Sequence, residues 1–287
     1  MRDVFSYITD KQKRFRNVTA IFLIIISFVL LTAIIYLYTP VDVNYSVNGP
    51  ISFGFDWKLV FREASRKLLS GKNPYTVNGF FSPPWILFPL IPIALLSPPL
   101  GSAVIFVLNL FAYIYVFLKL EINYWFILPL VLLSDILGNS ANGNIEGIIS
   151  LGFILPPQIG LFLLLAKPQI GMAVSLFWVI EAYRDNGLKE VVKITYPIII
   201  GIILSVVIFG TWFINSQKVI SRAYNSSLWP LGLPIGIGLL VLAIWKRDKK
   251  FAIIASPFFS PYLTDHSWAI VWIGISAVVS DYLLPSK

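Results

Sequence analysis

The segment FGFDWKLVFREASRKLLSGKNPY, residues 53–75, decides how the rest of the chain is read. It lies between long apolar runs, yet it holds five Lys or Arg residues and two carboxylates. Trp57, Val60, Phe61, Ala64 and Leu68 follow the i, i+3, i+4, i+7, i+11 spacing of one helix face. Lys58, Arg62 and Arg66 recur every four residues on another face, and Glu63 with Lys67 adds an i, i+4 pair. Gly71 stands where a helix is capped, and Pro74 bars its continuation. The pattern predicts an amphipathic helix over 57–70, lying in a membrane interface with its basic face toward phosphates. Asp56 heads this helix in one of two roles. It is an N-cap accepting a backbone N–H, or a general base at the membrane surface. The roles compete, because a capping carboxylate has a depressed pKa and is a weaker base.

Composition supplies the surroundings. Of 287 residues, 57% are hydrophobic and 13% charged, where soluble domains carry about 25% charged residues. The expectation is an all-α, polytopic transmembrane bundle forming a single domain over 1–287. The chain has no cysteine, which excludes disulfides and thiolate metal sites. The net charge of +8 is not a sign of nucleic-acid binding. Basic residues of membrane proteins collect on the cytoplasmic side and near lipid phosphates.

The first membrane helix is predicted over 18–38. It lacks the short core and small-residue cleavage site of a signal peptide, so it is read as retained. Arg2, Lys11, Lys13, Arg14 and Arg16 precede it and put the N-terminus in the cytoplasm. Residues 39–98 then form an outer loop with two interfacial helices; the second, SPPWILFPLIPIALLSPP, is too short and too broken by proline to span. The remaining crossings occupy 100–284. Among them are YWFILPLVLLSDIL outward, NIEGIISLGFIL inward and QIGLFLLLAK outward, for about nine or ten membrane helices in all. Under this threading 14 of the 22 basic residues lie inside, in keeping with the positive-inside rule.

The threading also brings polar residues to the outer face: Asp56, Asn142, Asn144, Glu146, Lys167, Asp265 and His266. Polar groups at membrane depth are costly and usually face a cavity or a partner. Each has a plainer reading. Lys167 ends a short helix and can snorkel to the interface, or place a point charge on a phosphate. Under the phosphate reading, Lys167→Ala weakens phosphate binding far more than it harms folding. Asp265 and His266 can cap the last helix, or contact phosphate or sugar. Asn142 and Asn144 flank Gly143 in turn chemistry. Glu146 in a first turn complements the helix dipole. Arg222, in another outer loop, can hold a phosphate through its fork of donors.

FDWKLVFREASRKLLSGKNPY followed by FFSPPWILFPLIPIALL resembles the first outer loop of the GT-C glycosyltransferases. The similarity is greatest to glycosyltransferase family 87, the polyprenol-phosphate-mannose-dependent mannosyltransferases. In that family an aspartate opens an interfacial helix, followed by Gly-x-x-Pro-Tyr, an aromatic-Pro-Pro turn and a second interfacial helix. NGNIEGIISLGFIL, LLLAKPQIG and SPFFSPYLTDHSWAI also resemble family landmarks and come in the family's order. The resemblance implies an inverting transfer of a sugar, mannose in the family, from a polyprenyl-phosphate donor to a lipid or glycan acceptor on the outer face of the cell membrane. It implies Asp56 as catalytic base. It implies Lys167, His266, Arg222, Arg62, Asp265, Asn144 and Tyr75 around the donor's phosphate and sugar. The chain departs from the family in being shorter and in having Ser82 where an aromatic is commoner.

No Asp-x-Asp motif and a single histidine point to metal-independent chemistry without a cofactor. The absence of a Gly-rich phosphate loop argues against a soluble nucleotide-sugar donor. The expected partners are the donor, the acceptor and membrane lipids, with no nucleic acid. The alternative is a catalytically inactive GT-C-like subunit that binds lipid or a membrane protein complex. A transporter is disfavoured, since no inverted repeat is visible.

Overall fold

The computed structural model describes residues 2–38, 53–216 and 225–283, and among these every regular element is helical. Helix α1 spans Arg2–Tyr38. A π-helical turn, Trp57–Phe61, runs directly into α2, Arg62–Leu69. A 3₁₀ segment, Pro84–Leu90, runs into α3, Ile91–Ala94. Next come α4 (Pro98–Lys119), α5 (Tyr124–Leu132), α6 (Ser134–Asn142), α7 (Glu146–Ser150) and α8 (Pro157–Leu164). Then follow α9 (Pro168–Phe209), α10 (Trp212–Ser216), α11 (Leu233–Lys246), α12 (Lys249–Ala255) and α13 (Ala269–Leu283).

Among the described residues three helices are long and apolar enough to cross a membrane: α1, α4 and α9. A fourth crossing results if α5 and α6, bent by 54°, are one broken span. The sequence reading counted nine or ten because it took each short apolar run as a full crossing. NIEGIISLGFIL instead forms α7, five residues long, and one 3₁₀ turn. QIGLFLLLAK forms α8, eight residues long. At about 1.5 Å per residue these helices reach roughly 8 and 12 Å, against a hydrocarbon core of about 30 Å. Helix α9 carries non-helical backbone at Asn186 and Gly187, so it is two helices, 168–185 and 188–209, meeting at a break. That break lies in the polar YRDNGLKEVVK segment, residues 183–193.

Helix α4 is the centre post. Of its apolar window 61% is buried, against 6% for α1. Ser97, Pro98 and Pro99 open it, with proline at a position where its fixed φ suits a first turn. Helices α1, α5, α6 and α7 and the Trp57–Phe61 turn all pack on α4. Helices α9, α11, α12 and α13 form the second half, joined to α7 through α8.

The opening segment folds as its apolar stripe dictates. Trp57 and Ala64 are fully buried and Phe61 nearly so, with Val60 and Leu68 packed against the same core. Gly71, at φ +68, ends α2 in a Schellman motif. Its N–H donates to Leu68 O at 3.0 Å, and that of Lys72 to Lys67 O at 2.9 Å. The basic face departs from expectation, because Lys58 and Arg62 are buried and only Arg66 is exposed. Arg62 donates to the carbonyl of Leu96 and to Glu63 at 3.1 Å, so Glu63 pairs with Arg62 and not with Lys67. Lys67 reaches Thr76 Oγ1 at 2.6 Å.

Candidate functional site

The turn between α6 and α7, Asn142-Gly143-Asn144, docks onto the Trp57–Phe61 turn that leads into α2. Gly143 has φ +75, and a Cβ there would lie 2.6 Å from Trp57 Cβ and 3.1 Å from the Trp57 nitrogen. Gly54 N–H donates to Ala141 O at 2.7 Å. This close approach sets Asn144 beside Asp56, and Asn144 Nδ2 donates to Asp56 Oδ2 at 2.8 Å. Asp56 makes no side-chain cap bond; its backbone is already helical, at φ −62 and ψ −37. The capping role therefore does not apply.

Beyond Asn144 the network continues into the protein. Lys167 Nζ donates to Asn144 Oδ1 at 3.1 Å and is ion-paired with Glu146. Glu146 is fully buried. Its Oε1 also accepts from Ser267 Oγ, and its Oε2 accepts from Asn139 Nδ2 at 3.0 Å. Ser267 meets Thr264 Oγ1 at 3.0 Å. Asn109, in the middle of α4, donates to Asn144 O at 2.6 Å and accepts from Ile148 N–H at 3.2 Å. Residues from the first loop, the α6–α7 turn, the α8–α9 junction and the turn before α13 thus meet in one hydrogen-bonded network.

Electrostatics give this face its chemistry. Asp56 lies outside the spanning helices, and burial pushes its carboxyl above the ordinary value of 3.8. The hydrogen bond from Asn144 and the charges of Lys167 and His266 pull it back, and Glu146 adds to the rise. Tyr262 is pushed up by burial and then by the charge of Asp56. The hydrogen bond from Asn144 goes to Oδ2, and among the described residues none goes to Oδ1. A lysine ammonium has three N–H donors, and Asn144 and Glu146 take two of those on Lys167.

The remaining expected residues divide. His266 is half-buried and acts on Asp56 through its charge, without a hydrogen bond among the described residues. Asp265 is exposed. Arg62 is turned toward Leu96 O and ties α2 to the segment that follows α3. Tyr75 belongs to a separate aromatic cluster. Its ring stacks on Trp212 at 5.7 Å, its hydroxyl donates to Ser82 O at 3.0 Å, and burial raises its pKa. Arg222 lies outside the described residues. Sequence reasoning missed Ser267, Tyr262, Asn139 and Asn109. The available signal was Asn109, an amide inside an apolar run, which needs a partner at membrane depth.

No protein-family model matches the chain, and no curated protein or solved structure is similar to it. Fold and site together define a class: an all-helical protein with helices that can cross a membrane, in which a half-buried carboxylate, hydrogen-bonded through one oxygen, lies in the field of a lysine and a histidine.

Proposed function

We propose that this chain is an integral-membrane glycosyltransferase of GT-C type. It moves a sugar, mannose by resemblance, from a polyprenyl-phosphate donor to a lipid or glycan acceptor at the outer membrane face. One observation carries the reading: Asp56 has one oxygen held by Asn144 and the other without a hydrogen bond among the described residues, within the fields of Lys167 and His266. Asp56 Oδ1 takes the proton of the acceptor hydroxyl as that oxygen attacks the anomeric carbon. The bond from that carbon to the phosphate oxygen breaks, and its electron pair leaves with polyprenyl phosphate. Lys167 and His266 stabilise the departing charge, and the anomeric centre inverts. The raised basicity of a buried carboxyl suits proton abstraction better than that of a solvated one.

The second reading is a non-catalytic subunit. It draws support from Lys167, whose charge is already paired with buried Glu146. Purified protein supplied with radiolabelled sugar on polyprenyl phosphate separates the two. Transfer to a lipid or glycan acceptor supports the enzyme. No transfer to any such acceptor favours the subunit.

A further inference from the structure

Asn144 carries two side-chain bonds to partners of different kinds. Lys167 Nζ donates to its Oδ1 at 3.1 Å, and its Nδ2 donates to Asp56 Oδ2 at 2.8 Å. A carboxamide has one accepting end and one donating end, while a lysine ammonium can only donate. Lys167 therefore fixes which end of the amide faces it, and the NH₂ end must point at Asp56. Lys167 is itself held by Glu146, whose two oxygens are fixed by Ser267 and Asn139. The backbone carbonyl of Asn144 is tied to Asn109 at 2.6 Å. Every group that could let the amide turn over is bonded in turn to the interior.

We propose that Asn144 is a positioning residue for Asp56, aimed by the Lys167–Glu146 pair. Its NH₂ occupies Oδ2, so Oδ1 is the oxygen turned to the acceptor hydroxyl. Its donated hydrogen bond favours the carboxylate over the acid. The charged or titratable groups that also act on Asp56 are Lys167, His266, Glu146 and Tyr262. Without Asn144, burial opposes ionisation with one fewer counterweight. The catalytic meaning of this arrangement rests on Asp56 acting as a base, but the coupling of Asn144 to Asp56 does not.

The test titrates Asp56 directly. Infrared difference spectra across pH follow the C=O stretch of protonated carboxyl groups in the purified protein. The band missing from Asp56→Asn belongs to Asp56. In Asn144→Leu its midpoint should move up by about one pH unit, the shift expected when a hydrogen bond to a charged group is lost. Asn144→Ala is measured alongside, so a folding defect in one variant leaves the other. A midpoint that stays put in the folded variant, or moves down, overturns the proposal. A midpoint that rises while wild type transfers no sugar supports the positioning role and removes the glycosyltransferase reading. Transfer that depends on Asp56, with an unmoved midpoint, does the reverse.

Discussion

Glu146 and Lys167 form an ion pair inside the protein, with side-chain exposures of 0% and 12%. Removing one member of a buried pair strands the other charge, at a cost of about 3–5 kcal/mol. Glu146→Ala and Lys167→Ala should therefore each lower thermal stability severely in detergent. The double variant Glu146→Leu/Lys167→Met should be much more stable than the sum of the single losses predicts. The sequence reading expects Lys167→Ala to harm folding far less than phosphate binding; the buried pair predicts a large loss of stability as well. Additive losses in the cycle would mean the two side chains are not paired.

Asp56 gives stability a pH dependence of defined sign. Its folded pKa lies above the ordinary 3.8 because of burial. Between 3.8 and the raised value the folded state holds more protons than the unfolded one, so stability falls as pH rises through that window. Asp56→Asn should remove this slope. In transfer assays the same group should produce an acidic limb above the ordinary carboxylate range, with rate lost as pH falls. Melting temperatures of wild type and Asp56→Asn across acidic pH check the first statement.

Gly143→Ala should damage the site from outside it. The residue sits at φ +75, and the added Cβ would press on Trp57 and on the Gly54 Cα at 3.1 Å. Left-handed backbone alone costs a non-glycine residue about 1–2 kcal/mol, and backbone on the facing side cannot yield as a flexible side chain would. The turn should shift away from Trp57, separating Asn144 from Asp56. A folded variant with markedly reduced transfer is the expected outcome; unchanged transfer would show that this contact does not hold the site.

Orientation can be read with single cysteines, since the chain has none of its own. Asn78, in the loop after α2, and Pro261, beside Tyr262, are exposed, and Asn186 is exposed at the break in α9. The charge distribution predicts that Asn78→Cys and Pro261→Cys react with an impermeant thiol reagent from outside intact cells. Asn186→Cys should react only after permeabilisation. The opposite pattern would invert the topology.

The sequence was most informative where the physics is local. The apolar stripe from Trp57 to Leu68, the Gly71 terminus and the Asn-Gly-Asn turn depend on spacing and turn chemistry, and each is found where its residues predict. The number of crossings was not legible, because proline and glycine cut apolar runs into pieces that only packing tells apart from spans. Glu146 reads as a first-turn acid, yet its partners Lys167 and Ser267 are brought to it by the fold. Arg62 reads as a phosphate ligand by its place in the basic repeat. Its carbonyl partner, Leu96, carries no signal of its own.

The central claim is that Asp56 removes a proton, and single-turnover transfer by Asp56→Asn tests it most directly. Asparagine keeps the shape of the side chain, and no capping bond is lost, since Asp56 makes none. Folding and donor binding should be preserved while transfer falls by about a hundredfold or more, the loss expected for a general base. Transfer by Asp56→Asn within about threefold of wild type, well short of the tenfold that roughly 1.4 kcal/mol represents, would contradict the account.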